Sequence, residues 1–294
     1  MLKNLNLTAA ILHYILAIGF SAYYTYLNDK YKNQQVNGIE TSVRQHELEL
    51  TGPDVSGAVI TSQWVSKEQY SFDTKNIQGL IVAFFIITGT FHLFYYFTNG
   101  ATGKDIPESI GNIYTRVIER KNNYFRWIEY SVTSTIMLYI IAYSSGVKDI
   151  EVYNLLYATN ISMIATGQLV ETAVRDGGDW YTPMIIGFLL LIAEFVCIFR
   201  ALSKRFQEIN SYLESHPVVA KGFTIPSWLA YLGIVIFILF SSFGFISLWG
   251  AYSGVEYEQV EYLYIIFSFA AKAVLGFFMA YGLSQRQQPR PNQN

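Results

Sequence analysis

Hydrophobic residues in this chain come in long blocks, not in short alternations. Apolar stretches fall at roughly 7–27, 77–98, 123–145, 152–172, 182–202, 225–249 and 259–283, each bounded by polar segments. At about 1.5 Å rise per residue, a helix of that length covers a hydrocarbon core of about 30 Å. Each block therefore predicts a membrane-spanning helix, and seven spans put the termini on opposite sides. The first block follows Lys3 as a signal peptide would, but it runs too long and lacks a small-residue cleavage site, so it reads as a retained helix. Between the first two blocks, residues 28–76 are polar. Their stretch "HELELTGPDVSGAVITSQWVS" has two alternating runs around a Gly-Pro-Asp turn, which predicts a β-hairpin outside the membrane. The connection 99–122 carries Lys104, Arg116, Arg120 and Lys121, the connection 203–224 carries Lys204, Arg205 and Lys221, and the tail 286–294 is expected to be disordered. The expected architecture is an all-α membrane protein: one seven-helix domain over 1–285 with a hairpin in its first interhelical loop.

Composition agrees with that pattern. Of 294 residues 52% are hydrophobic and 14% charged, which suits a polytopic membrane protein. A net charge of −2 with no basic tract argues against nucleic-acid binding. Cys197 is the single cysteine, so neither an intrachain disulfide nor a cysteine-built zinc site is possible. Lysines and arginines outside the spans favour the side holding the 28–76 loop as cytoplasmic. Without that loop the two sides are nearly level, so the charge rule leaves orientation open.

A charged side chain near the bilayer centre costs about 3 kcal/mol or more, so the ionisable residues inside the spans carry the information. The candidates are His13, His92, Arg126, Glu129, Glu194 and Lys272. Odd-numbered spans start, and even-numbered spans end, at one face of the membrane, here called the entry face. His13, His92 and Glu129 each lie about two turns beneath it. Lys272 is nearer the midplane, but helical side chains tilt toward their own N-terminus, which aims its amine back toward Glu129. One reading is a structural ion pair or an ion-path residue. The other is covalent: a desolvated amine condenses with an aldehyde to a Schiff base, whose positive charge needs a buried carboxylate. Ala270, Ala271, Ala273 and Gly276 would leave room for a ligand. Ser268 lies one turn before Lys272 on the same face, within hydrogen-bond reach. Phe237, Phe240 and Phe243 form a stripe that serves either as ordinary packing or as a ligand wall. Seven helices with a mid-span lysine on the last and a carboxylate on the third describe a retinal protein.

Several motifs carry a more specific resemblance. The stretch "FRWIEYSVTSTIM" resembles the heliorhodopsin signature Arg-Trp-x-Glu-Tyr-Ser, and "SFAAK" that family's Ser-x-x-x-Lys. "NISMIATGQ" is similar to its retinal-contacting Asn…Met-Ile-x-x-Gly segment, and His13 and His92 match its two cavity histidines. The resemblance implies a rhodopsin-like bundle with all-trans retinal on Lys272 and Glu129 as counterion. It also implies that Ser134 and Ser268 sit beside the linkage, with Asn160, Met163, Ile164, Gly167, Phe237 and Phe240 along the chromophore. His13, His92, Arg126 and Tyr130 would form a polar cavity able to take a proton. It implies further a homodimer using the first-loop hairpin, and a plasma-membrane protein with its N-terminus in the cytoplasm. Glu194 matches no family motif and reads as a neutral hydrogen-bonded acid or a proton relay.

Three functions then compete. A photosensor would isomerise its retinal, move the charge at Lys272 and present a changed surface to a signalling partner, without net transport. An ion pump is disfavoured, because the familiar pumps carry an aspartate at the position of Ser268, and the second proton-handling position on the third span is the apolar Ile140. A light-gated proton path would use Glu194. An enzyme is not indicated: His46 and His216 stand alone in loops, and no nucleophile-base pair or phosphate loop is visible.

Overall fold

The computed structural model of the chain describes residues 1–30, 41–51, 61–72, 74–100, 108–215 and 228–286. The long helices are α1 (Leu2–Lys30), α2 (Thr74–Phe97), α5 (Tyr124–Ser144), α6 (Ile150–Asp176), α7 (Tyr181–Ser215), α8 (Trp228–Ser253) and α9 (Tyr257–Arg286). Two short helices, α3 (Glu108–Gly111) and α4 (Ile113–Glu119), occupy the connection before α5, which the hydrophobic pattern left as a plain loop. Strands β1 (Thr41–Thr51) and β2 (Thr61–Phe72) pair antiparallel from Thr41 opposite Phe72 to Thr51 opposite Thr61, with one irregularity at Val43/Arg44. The Gly-Pro-Asp turn expected between them, and the tail beyond Arg286, lie outside the described residues.

Five of the long helices (α1, α2, α7, α8 and α9) are long and apolar enough to cross a membrane by length and composition. The ones that miss this standard, α5 and α6, bury polar side chains, among them Arg126, Glu129, Asn160 and Glu171. Each long helix packs on its neighbour in the chain, and α9 returns to α1, so the bundle closes into a ring. Its core is aromatic and aliphatic, with Phe84, Phe85, Tyr153, Phe195, Ile198 and Leu275 sealed from outside. Isoleucines such as Ile18, Ile128, Ile185 and Ile238 face outward. In water this inversion would be costly; against lipid tails it is the expected surface.

Local chemistry sets the helix ends. Asn123 caps α5 by accepting from the Arg126 N–H at 3.1 Å. Asp149 caps α6 in the same way through the Glu151 N–H at 2.9 Å. Gly177, with φ +69°, ends α6 in a left-handed turn that residues with a Cβ rarely adopt. The fifth span continues thirteen residues past its expected end at 202, as α7 runs to Ser215. Lys204, Arg205, Gln207, Glu208, Leu213 and Glu214 favour helix in this extension, Arg205 and Glu208 pair across one turn, and no proline intervenes before Pro217.

Candidate functional site

Lys272 and Glu129 meet inside the ring. Lys272 Nζ lies 3.3 Å from Glu129 Oε1 and donates to Ser268 Oγ at 2.8 Å. Ser268 is one turn N-terminal to Lys272, so the amine does reach back toward the entry face as the tilt of helical side chains requires. Both charged residues are almost sealed, Lys272 at 3% and Glu129 at 4% exposure. The carboxylate is further fixed by two hydroxyls that sequence reading passed over. Thr133 Oγ1, one turn along α5, donates to Glu129 Oε1 at 2.9 Å, and Thr88 Oγ1 from α2 donates to the same oxygen at 2.5 Å. Spacing could have found Thr133, which lies four residues from Glu129. Thr88 lies one turn from His92 and shares its face of α2.

The two histidines come together beside this pair. Their rings are 5.4 Å apart; His13 Nδ1 bonds the Ala9 carbonyl at 2.7 Å and His92 Nδ1 bonds Asn6 Oδ1 at 2.8 Å. His13 feels the charges of Lys272 and Glu129, and His92 that of Lys272. His13 Nε2 has no hydrogen-bond partner among the described residues. Tyr130 stands on the other side, its ring 5.3 Å from Lys272 Nζ and its hydroxyl donating to the Tyr264 carbonyl at 3.2 Å.

The resemblance puts Arg126 in one cavity with the histidines, whereas its guanidinium turns to two carboxylates. It forms ion pairs with both Glu171 of α6 and Glu261 of α9, and lies over the Tyr264 ring at 3.8 Å. The partners of these carboxylates are numerous. Glu171 Oε2 accepts from Trp127 Nε1 at 2.9 Å and the Asn123 N–H at 3.2 Å, and Tyr257 donates to Oε1 at 3.2 Å. Glu261 Oε2 accepts from Asn123 Nδ2 at 3.0 Å and Tyr114 at 3.3 Å. Both glutamates lie at the ends of their apolar blocks, outside the ionisable residues that the spans single out. Depth sets Arg126 and both glutamates level at the entry face, since Glu171 ends the fourth span and Glu261 opens the seventh, but it does not give the direction in which they face.

The remaining candidates divide. Asn160 Nδ2 donates to Ser134 Oγ at 2.8 Å and to Thr135 Oγ1 at 2.9 Å, tying α6 to α5. Ser134 itself donates to the Tyr130 carbonyl, and no bond joins it to Lys272. Met163 and Ile164 pack with Trp127 and Tyr130. Gly167 is pressed by the Trp127 ring, onto which any Cβ would fall. Gly276 does not open space for a ligand; a Cβ there would meet Phe20 at 2.9 Å and Phe85 at 3.1 Å. Phe237 and Phe240 both pack on Phe195, with centroids 5.1 and 5.7 Å away, while Phe243 lies 5.3 Å from Tyr130. Next to Phe195, Glu194 is 1% exposed, and neither of its carboxyl oxygens has a hydrogen-bond partner among the described residues. Of the loop histidines, His46 falls on β1 and His216 lies outside the described residues.

A desolvated amine with one carboxylate at 3.3 Å fits an aldehyde-derived chromophore that carries a single positive charge. A separate apolar groove of about 630 Å³ between α7, α8 and α9, walled by Leu191, Phe237, Ser241 and Phe267, opens outward past the exposed Ile238 and Phe245, and Lys272 does not line it.

The comparisons with known proteins bear on the same geometry. Among solved structures, a light-driven proton pump from Leptosphaeria maculans is similar with a TM-score of 0.57 over 96% of each chain. At 12% identity, that likeness speaks for the fold alone. No curated protein matches the chain. The family model for heliorhodopsins matches residues 2–283, nearly the whole length, so the chain belongs to the heliorhodopsin family of retinal-binding, light-sensing membrane proteins.

Proposed function

We propose that the protein is a photosensor that holds all-trans retinal on Lys272 as a protonated Schiff base and runs a slow photocycle without net ion pumping. The observation that carries this reading is the sealed Lys272–Glu129 pair, 3.3 Å apart, in a ring of seven long helices. In this reading α5 and α6 also span the membrane, because they lie side by side in the ring between α2 and α7, both of which are apolar enough to do so. Bound retinal supplies light absorption and isomerisation. Lys272 carries the linkage and its proton, Ser268 orients the nitrogen, and Glu129 holds the balancing charge, itself held by Thr88 and Thr133. The acceptor for a released proton is Glu129 or the adjoining His13/His92 pair, whose unpartnered His13 Nε2 is available to take it. Arg126, braced by Glu171 and Glu261, closes the entry-face end. The family resemblance further supports a homodimer contacting through the β1–β2 ribbon, in a plasma membrane with the N-terminus cytoplasmic, acting on a signalling partner.

The first test is colour. Lys272→Ala should abolish visible absorption when retinal is added, while wild-type protein traps retinal covalently at Lys272 on borohydride reduction. Visible colour in the variant, or trapping at another residue, refutes the site.

One observation favours a second reading, a light-gated proton path. Glu194 is a buried carboxyl without a hydrogen-bond partner among the described residues, beside the aromatic wall of α8. A group so placed is costly unless it has a task. Voltage-clamped, illuminated cells distinguish the two: a photocurrent reduced by Glu194→Gln supports conduction, and silence in well-expressed protein supports sensing.

A further inference from the structure

Outside the retinal site, three arginines surround one pocket at the entry-face end of the bundle. The cavity, about 390 Å³, lies where α4 and the start of α5 meet the last turns of α6. Arg116 and Arg120 come from the α4 segment and Arg175 from the end of α6; Asn122, Tyr124 and Gln168 complete the wall. No acidic side chain lines it among the described residues. Asp176 on the exposed rim holds Arg175 through two bonds, from Nε at 2.7 Å and Nη2 at 2.9 Å, and Arg116 Nε donates to the Asn112 carbonyl at 3.4 Å. Glu119 and Lys121 adjoin and offset each other. Among the described residues the lining is cationic, in planar groups that suit the oxygens of a phosphate.

Its floor is rigid. Gln168 Nε2 donates to Asn122 Oδ1 at 2.6 Å, and Asn122 Nδ2 donates to Thr172 Oγ1 at 2.9 Å. These bonds leave Gln168 Oε1 buried with no partner among the described residues, an acceptor that a hydroxyl on a ligand would satisfy. The mouth lies at the membrane boundary. Tyr124 is exposed beside the arginines, and Ile128, one turn deeper on α5, is exposed as a lipid-facing residue is. A ligand held there would meet water with its head and hydrocarbon with its tail.

We propose that this pocket binds a phosphate-bearing anion, supplied by the headgroup of an anionic phospholipid whose hydroxyl reaches Gln168. The floor residue Asn122 precedes Asn123, which bonds both Glu171 and Glu261, so the occupant would sit one residue from the bonds that hold Arg126.

The test is native mass spectrometry of the full chain loaded with retinal, titrated separately with short-chain phosphatidylglycerol, phosphatidylcholine and inorganic phosphate. Phosphatidylglycerol should add one molecule per chain, and Arg116→Gln/Arg120→Gln/Arg175→Gln should weaken it at least tenfold. The visible band and melting profile of the variant check that it is folded; if the triple variant does not fold, Arg120→Gln alone is expected to weaken binding several-fold. Arginine-dependent binding of inorganic phosphate without the lipid keeps the site and assigns it a free anion. Equal retention of phosphatidylcholine, or binding of every probe unchanged by the substitutions, overturns the proposal.

Discussion

Two charged clusters are buried in this bundle, and they are built on opposite principles. At Lys272 one cation faces one carboxylate at 3.3 Å, with three hydroxyls, those of Ser268, Thr88 and Thr133, as the neutral supports. At Arg126 one cation faces two carboxylates, and indole, amide and phenol groups bond the oxygens around it. A lysine amine keeps a nucleophilic nitrogen and three rotatable donors, so it can be derivatised and still answer to its counterion. A guanidinium stays charged and planar, and here it is clamped by α6 and α9 together. The first arrangement suits a charge that must move; the second suits one that must stay. Trp127 lies between them, bonded to Glu171 on one side and packed against Tyr130, centroids 6.1 Å apart, on the other.

The largest expected effect comes from unlocking the fixed cluster. Arg126→Gln leaves Glu171 and Glu261 buried without their shared cation, and removing one member of a buried charged group costs about 3–5 kcal/mol. The variant should express poorly or melt far below the parent, whether or not retinal is bound. A double variant, Arg126→Gln with Glu171→Gln, removes one of the stranded charges and should recover part of that loss. Thermal melts followed by circular dichroism in detergent measure both; a single variant as stable as the parent would show that the cluster does not hold the entry-face end together.

A smaller change in stability and a larger one in colour are expected from the mobile cluster. In Glu129→Gln the Thr88 and Thr133 hydroxyls still find an acceptor, and the charge left without its partner is one, not two. Losing a hydrogen-bonded charge partner of this kind costs roughly 1.5–3 kcal/mol. The visible band should move to longer wavelength, because the carboxylate no longer pins positive charge at the nitrogen end of the polyene. An unmoved band in folded, retinal-loaded protein would assign the counterion elsewhere, with Glu171 and Glu261 the next carboxylates to replace.

The two clusters also differed in how well the sequence disclosed them. Lys272, Glu129, His13 and His92 stand alone inside apolar blocks, so span position and side-chain tilt suffice to converge them on one half of the bundle, as the distances now show. Glu171 and Glu261 lie at the very ends of their blocks, where a carboxylate looks like an ordinary boundary residue, and only three-dimensional closure of the ring reveals that both turn inward to Arg126. Helix existence was legible from block length. The thirteen extra residues of α7 and the short α3 and α4 were not, because polar helices outside the hydrocarbon leave no hydrophobic period to read. Nor was the crowding at Gly276, since a glycine in an apolar run says nothing of whether a ligand or a phenylalanine fills the space beside it.

The smallest effect sharpens the comparison by working on the wall between the clusters. Trp127→Phe removes the indole N–H that reaches Glu171 and trims the ring edge lying against Gly167. One buried hydrogen bond and a modest void cost about 1–2 kcal/mol together. Gly167→Ala acts oppositely, forcing a methyl group into the indole, an overpacking worth about 1–3 kcal/mol. Because the lost edge and the added methyl occupy the same space, the double variant should be more stable than the sum of the two losses, with a coupling of about 1 kcal/mol. Melts of the four proteins close this cycle, and additive losses would mean the two residues do not compete for that space. The visible spectrum gives the second reading. Trp127 bonds a carboxylate of the fixed cluster and makes only a ring contact with Tyr130, so Trp127→Phe should shift the band by much less than Glu129→Gln does. An equal shift would show that the clusters act as one electrostatic unit and that Trp127 couples the lock to the moving charge.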